Sequence, residues 1–185
     1  MYYVRKMSKP TSLYKIKDSK DIASVPADFL GQELRTSQNT LSVWRCENMD
    51  DAGYQNAIKA ALFASSDIIA TQFIVLDSEM LEAAGIKTQD VQGKTSYAGL
   101  SELHTDLCEL TYEKIGILLD IYQKTSNLQG RIPKIEKKDF QNFVIEAHQN
   151  KLLDESGMDD KFKKAVGKLL YKRGYPNLYT ESNDA

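Results

Sequence analysis

The sequence has few of the residues that hold metal ions or covalent crosslinks. Its 185 residues include two cysteines, Cys46 and Cys108, and two histidines, His104 and His148. No CxxC or HxxxH pair occurs, although His104 and Cys108, four residues apart, could share one side of a helix. A tetrahedral zinc site needs about four such ligands. We therefore predict no metal, no cofactor and two reduced thiols.

Long apolar runs and a strong net charge are also missing. The apolar run Phe73–Leu76 is far shorter than the ~20 residues of a membrane-spanning helix, and no apolar run of signal-peptide length follows the N-terminus. The chain has 24 lysines and arginines against 26 aspartates and glutamates, a formal net charge of −2. Such a balance creates no strong overall field toward nucleic acid or an acidic membrane. We expect a soluble, cytoplasmic protein without a membrane partner.

Sequence motifs of common enzyme classes are absent as well. No GxGxxG or GxxxxGK[S/T] loop follows a predicted strand, which argues against the common nucleotide-binding loops. A Gly-x-Ser-x-Gly elbow is missing too. His104 and Asp106 do not identify a catalytic triad, because triads assemble across the fold and nothing marks the nucleophile. We assign no catalytic residue and favour a non-catalytic protein over an enzyme.

The order of polar and apolar residues predicts an α/β (or α+β) protein. Residues 40–46 and 68–76 have the composition of strands, and between them apolar residues recur at helical spacing from Tyr54. Strand, helix and strand in succession indicate a βαβ-like unit in a small mixed sheet. A leucine-rich pattern over residues 96–125 then predicts one long helix of about 40 Å.

A break at Gly130–Pro133 divides the chain. Beyond it, two helices are predicted at about 137–153 and 159–172. Because a helical hairpin of this size buries little apolar surface alone, we expect it to dock on the long helix. The predicted units are an α/β core over residues 1–130 that includes the helix 96–125, a helical hairpin over 131–174 packed on the core, and a flexible tail over 175–185.

The clearest polar cluster surrounds the strand over residues 40–46. A guanidinium, hydroxyls and amides precede this strand, and two large side chains lie on its two faces. Such groups can hold a carboxylate, a phosphate or a peptide backbone. The alternative is an ordinary connecting loop whose polar side chains form hydrogen bonds with the backbone of the loop. The candidate binding residues here are Arg35, Ser37, Asn39, Trp44 and Arg45.

Carboxylates follow both predicted strands. Glu47 comes after the first strand and Asp77 and Glu79 after the second, where ligand sites of α/β sheets gather. One alternative function is therefore a small enzyme with a polar site that combines Arg35, Ser37 and Asn39 with Glu47 or Asp77. It requires these side chains to converge on one pocket. The ordinary interpretation is that Asp77 caps the next helix.

Positive charge concentrates near the C-terminus. Residues 131–173 hold 11 lysines and arginines against 7 acidic residues, whereas residues 1–130 hold 13 against 17. A basic last helix makes nucleic-acid binding a second alternative, although aspartates at its start and lysines at its end also match the helix dipole. The candidate binding residues on this helix are Lys161, Lys164, Lys168, Lys172 and Arg173.

These observations favour a protein–protein interaction module. We expect an accessory, immunity or inhibitor-type subunit of a larger assembly, or a homo-oligomer. The ten tyrosines of the chain are compatible with a contact surface, where tyrosine is enriched. The small enzyme and the nucleic-acid-binding protein remain the alternatives.

Overall fold

In the part of the chain that the structure describes, six strands form one sheet with helices on both sides. The computed structural model describes residues 1–8, 25, 27–50 and 52–176. The strands are β1 (Tyr2–Met7), β2 (Leu41–Cys46), β3 (Thr71–Asp77), β4 (Lys87–Asp90), β5 (His104–Cys108) and β6 (Lys134–Ile135). The helices are α1 (Ala27–Glu33), α2 (Ala52–Phe63), α3 (Ser78–Ala83), α4 (Tyr112–Ser126), α5 (Lys137–Gln149) and α6 (Asp160–Lys172). The predicted α/β class is confirmed.

The strand order is β4–β5–β2–β1–β3–β6. β1 pairs antiparallel with β2 on one side and with β3 on the other, so β2 and β3 run parallel to each other. The predicted βαβ-like unit of β2, α2 and β3 is therefore present in a split form. β1 lies between these two strands, so they do not pair with each other. All pairings in the described residues are antiparallel, where a mixed sheet was expected.

Side chains alternate across the strands and build two separate cores. On one face, Val4, Trp44 and Phe73 pack with α2, α5 and α6. On the other face, Tyr3 and Ile74 belong to the core that includes α4. The helical hairpin thus packs on the sheet and on α2, and the expectation that it docks on the long helix is wrong. The sheet separates the hairpin from α4.

The helix predicted over residues 96–125 is wrong in its first half. Residues 104–108 form β5, and α4 begins only at Tyr112, capped by the Thr111 hydroxyl, which accepts a hydrogen bond from the Lys114 amide at 3.3 Å. The leucine spacing fits a helix, but Leu107 is buried opposite Leu41 in the sheet. Pairing with β2 outweighs the local helical pattern.

The two helices of the predicted hairpin are present as α5 and α6. The Phe63 ring of α2 makes edge-to-face contacts with Phe140 of α5 and Phe162 of α6, at centroid distances of 5.6 and 6.1 Å. The segment at the predicted break joins the sheet edge, since the Pro133 carbonyl accepts a hydrogen bond from the Phe73 amide at 2.9 Å. The predicted flexible tail lies outside the described residues from position 177 onward.

Bilayer crossing requires a helix that is both long and apolar. Of the helices in the described part of the chain, none has this combination of length and composition.

Candidate functional site

The polar loop before β2 folds into a tight turn. Ser37 and Thr40 pair across the two central residues Gln38 and Asn39, whose φ values are +53° and +60°, as in the type I′ turns of β-hairpins. The Thr40 amide and the Thr40 hydroxyl both donate hydrogen bonds to the Ser37 carbonyl, each at 2.9 Å. This geometry fits the interpretation in which the polar groups of the loop form hydrogen bonds with the backbone of the loop itself.

The five candidates around β2 do not converge on one site. Arg35, Ser37 and Asn39 are exposed at the start of β2. Trp44 is buried on the hairpin side of the sheet, and Arg45 lies on the opposite side near the end of the strand. The sequence cluster is therefore distributed over two faces and two ends of one strand.

The carboxylates of the enzyme hypothesis lie away from the polar loop. Asn39 precedes β2 and Glu47 follows it, so the length of this strand, about 20 Å at ~3.3 Å per residue, lies between them. Asp77 is near Glu47, because both Cys46 and Asp77 pair with Tyr2. An oxygen of Asp77 accepts a hydrogen bond from the Glu79 amide at 3.0 Å and caps α3. The structure does not bring the residues of the proposed enzyme site together.

Arg45 takes part in an ion pair at the sheet edge. Its Nη1 lies 2.8 Å from Oδ1 of Asp90, which also accepts a hydrogen bond from the Thr105 hydroxyl at 2.8 Å. Arg45 and Asp90 line two neighbouring cavities of about 380 and 340 Å³. Besides this pair, the charged side chains that line the cavities are Glu47 in the larger one and Glu102 in the smaller one.

His104, Asp106 and Cys108 share one face of β5, because alternate strand residues face the same side. The His104 ring lies 3.8 Å from the Asp106 carboxylate through Nε2. Burial raises the pKa of the Cys108 thiol, and the negative charges of Asp106 and Glu109 raise it further, so the thiol stays protonated and weakly nucleophilic. Within the described residues no group of three potential ligands is arranged to hold a metal ion.

The lysines predicted on the last helix do share one outer face. Lys161, Lys164, Lys168 and Lys172 are exposed on α6, at spacings of three, four and four residues that keep them on one side of a helix. Lys161 binds the carboxylate of Asp67 in the segment between α2 and β3. We call this surface the basic face.

A groove of about 360 Å³ lies beside the basic face, where α6 meets the start of α5 and the segment before β3. Its apolar part is formed by Ile68 and Leu169, each 8 % exposed, and by Ile69, which is 51 % exposed. Its cationic part consists of three lysine amines, none of which pairs with a carboxylate of the described residues. We call it the basic groove; it is lined by Asp67, Ile68, Ile69, Lys137, Gln141, Ala165, Lys168, Leu169 and Lys172.

Sequence reasoning found only part of this groove. Lys168 and Lys172 were candidates because they belong to a visibly basic helix. Lys137 and Ile69 were missed, since they are 31 or more residues away from Lys168 and only the fold brings them beside it. An isoleucine pair just before a buried strand gives no local signal that one of its two side chains is exposed.

The comparisons with known proteins give no relative from which a function could be transferred. No family model, curated protein or solved structure matches the chain.

Proposed function

We propose that this chain is a protein-binding module that holds an acidic segment of a partner protein against the basic face and basic groove. The observation that carries the proposal is the exposed set of lysines on α6, which continues into a groove with Lys137 on its other wall. The contacts made there serve recognition, and the proposal includes no reaction.

The charge distribution supports an acidic partner. Asp67 is the acidic residue of the basic groove, and it is bound by Lys161. Lys137, Lys168 and Lys172 therefore contribute a local excess of positive charge. Residues 1–130 have 13 basic and 17 acidic residues, whereas residues 131–173 have 11 and 7, so the excess of basic residues lies in the segment that contains the hairpin. Complementary potentials of this kind orient partners and speed their encounter.

The mixture of apolar and cationic surface favours protein over nucleic acid. Phosphate groups could neutralise the lysines, but a nucleic-acid backbone offers nothing apolar to Ile69 or Leu169. An acidic protein segment supplies both carboxylates and aliphatic side chains. The exposed Tyr171, with 65 % of its surface accessible, lies on the same helix, and tyrosine is enriched at protein interfaces.

The test measures binding of labelled poly-L-glutamate and of a labelled DNA duplex by fluorescence anisotropy at low salt. We expect Lys168→Glu/Lys172→Glu to weaken polyglutamate binding about tenfold, because each change replaces attraction with repulsion. Lys94→Glu, at an exposed lysine that does not line the basic groove, is the control and should leave the affinity within about twofold. Added salt should weaken binding by the wild type.

Two results would overturn the proposal. One is polyglutamate binding that is equally strong in the wild type and in the Lys168→Glu/Lys172→Glu variant. The other is tighter binding of the DNA duplex than of polyglutamate, lost in the same variant, which would assign the basic face to nucleic acid. Circular dichroism of each variant confirms that the helices are intact.

A further inference from the structure

We infer that the basic groove takes one aliphatic side chain of an acidic peptide, inserted between Ile69 and Leu169, while neighbouring carboxylates of the peptide pair with the surrounding lysines. This inference rests on the proposed function and specifies the chemistry of its partner. The recognised element is an acidic segment with a central leucine-like residue.

The groove is of a size to hold one side chain of a partner protein rather than an extended part of its surface. Its volume of about 360 Å³ is at the lower end of the ~300–1,000 Å³ of cavities that enclose small ligands. Protein interfaces concentrate their binding energy in a few anchors that fill such pockets. Ile68 and Leu169, each 8 % exposed, form the apolar floor of the groove. An inserted aliphatic group therefore contacts apolar carbon atoms at this floor and at Ile69.

Two contacts fix the rim of the groove before any ligand arrives. The Ser66 hydroxyl donates a hydrogen bond to the Asp159 carboxylate, and Lys161 binds Asp67. Both contacts hold the segment before β3 against the first turn of α6. They keep Ile69 beside the groove and half exposed, at 51 %. A preformed rim lowers the entropy cost of binding.

The lysines lie on both walls of the groove. Lys168 and Lys172 are one helical turn apart on α6, and Lys137 is the first residue of α5. Their long side chains can carry the ammonium groups to the mouth while their methylene stems cover apolar surface. A peptide with carboxylates on both sides of its anchor meets an amine on either wall. A simple anion would satisfy the amines but leave Ile69 exposed.

The experiment compares two labelled peptides of equal length and charge, one with leucine at its centre between glutamates and one with serine there. We expect the wild type to bind the leucine peptide about tenfold more tightly, because the leucine side chain leaves water. Ile69→Ser should remove most of this preference. Leu128→Ser is the matched control, since Leu128 is 48 % exposed elsewhere on the surface and should keep the preference.

The outcomes separate this inference from the proposed function. Equal affinity for both peptides, with both weakened by Lys168→Glu/Lys172→Glu, would overturn the groove inference and leave acidic-partner binding intact. If both peptides bind and the lysine substitutions do not change their affinity, the groove inference and the proposed function are both overturned. A wild type that sediments as a dimer, and an Ile69→Ser variant that sediments as a monomer, would assign the groove to a second copy of the chain instead.

Discussion

The indole of Trp44 and the imidazole of His104 pack edge to face, with ring centroids 5.1 Å apart and ring planes at 75°. The two residues face each other across β2 and β5, and the accessible fractions are 6 % for Trp44 and 8 % for His104. The His104 ring also contacts the Val91 carbonyl through Nδ1 at 3.2 Å. The single tryptophan, a candidate binding residue in the sequence, is therefore part of the packing of the sheet.

Gly93 allows this edge-to-face pair to form. A Cβ atom on Gly93 would lie 2.4 Å from both Cβ and Cγ of His104, which is closer than atoms can approach. We expect Gly93→Ala to lower the free energy of unfolding by about 1–3 kcal/mol, measured by urea denaturation. Gly116→Ala is the control, because Gly116 lies in α4 with nothing within 4 Å of the added atom. It should raise stability by about 0.5–1 kcal/mol, and a similar gain for Gly93→Ala would contradict the prediction.

Tyr122 makes the stability of the fold sensitive to alkaline pH. Burial raises the pKa of its phenol to about 12, although nearby Arg5 lowers it in part. The unfolded chain has a tyrosine pKa of about 10, so stability is full below pH ~10 and falls as the pH rises from there toward the folded value. We expect Tyr122→Phe to reduce this loss of stability at alkaline pH. The measurement is the free energy of unfolding between pH 9 and 11, a range of about two units around the tyrosine pKa of the unfolded chain. Tyr112→Phe, at a 99 % exposed position, should retain it, and equal curves for both variants would refute the assignment.

Asp159 caps α6 and makes stability sensitive to acid. Its carboxylate accepts hydrogen bonds from the Ser66 hydroxyl and from the Phe162 amide, and these lower the pKa of Asp159, with the Ser66 bond the stronger cause. The contribution of ionised Asp159 to stability is full above the pKa of an aspartate in the unfolded chain, about 3.9. It is lost as the pH falls through the lower pKa that Asp159 has in the folded protein. We expect Asp159→Ala to cost about 1 kcal/mol at neutral pH and progressively less in acid. Asp160→Ala, in the first turn but not at the cap position, should cost less; an equal cost would show that the cap is unimportant.

Arg5 joins three parts of the chain through its guanidinium. Nη2 donates to the Glu33 carbonyl at 2.7 Å and Nη1 donates to the Ser42 carbonyl at 2.8 Å, so β1 is tied to the end of α1 and to β2. We expect Arg5→Lys to lower the free energy of unfolding by about 1–3 kcal/mol, because one ammonium cannot replace the planar fork. Arg35→Lys, at an exposed position, should change thermal stability little. Similar melting temperatures for both variants would contradict this role of Arg5.

The local pattern of residues was enough to predict the elements whose own sequence has a regular period. The alternation over residues 40–46 predicted β2, and the apolar spacing after Tyr54 predicted α2. Asp159 caps the start of α6 and Lys172 lies in its last turn, as expected from the helix dipole. In these segments the residue pattern has the period of the element itself, so the sequence alone indicates the element.

The sequence by itself therefore determined the α/β class, the succession of strand, helix and strand around α2, and the two helices of the hairpin, because each depends on periodicity within one segment. Only the tertiary structure decided that residues 104–108 form a strand, since Leu107 gains its burial by pairing with Leu41 across the sheet. The same holds for the basic groove. Lys137, Ile69 and Lys168 come together only because the hairpin packs on α2 and on one face of the sheet, and contacts between distant segments leave no periodic trace in the sequence.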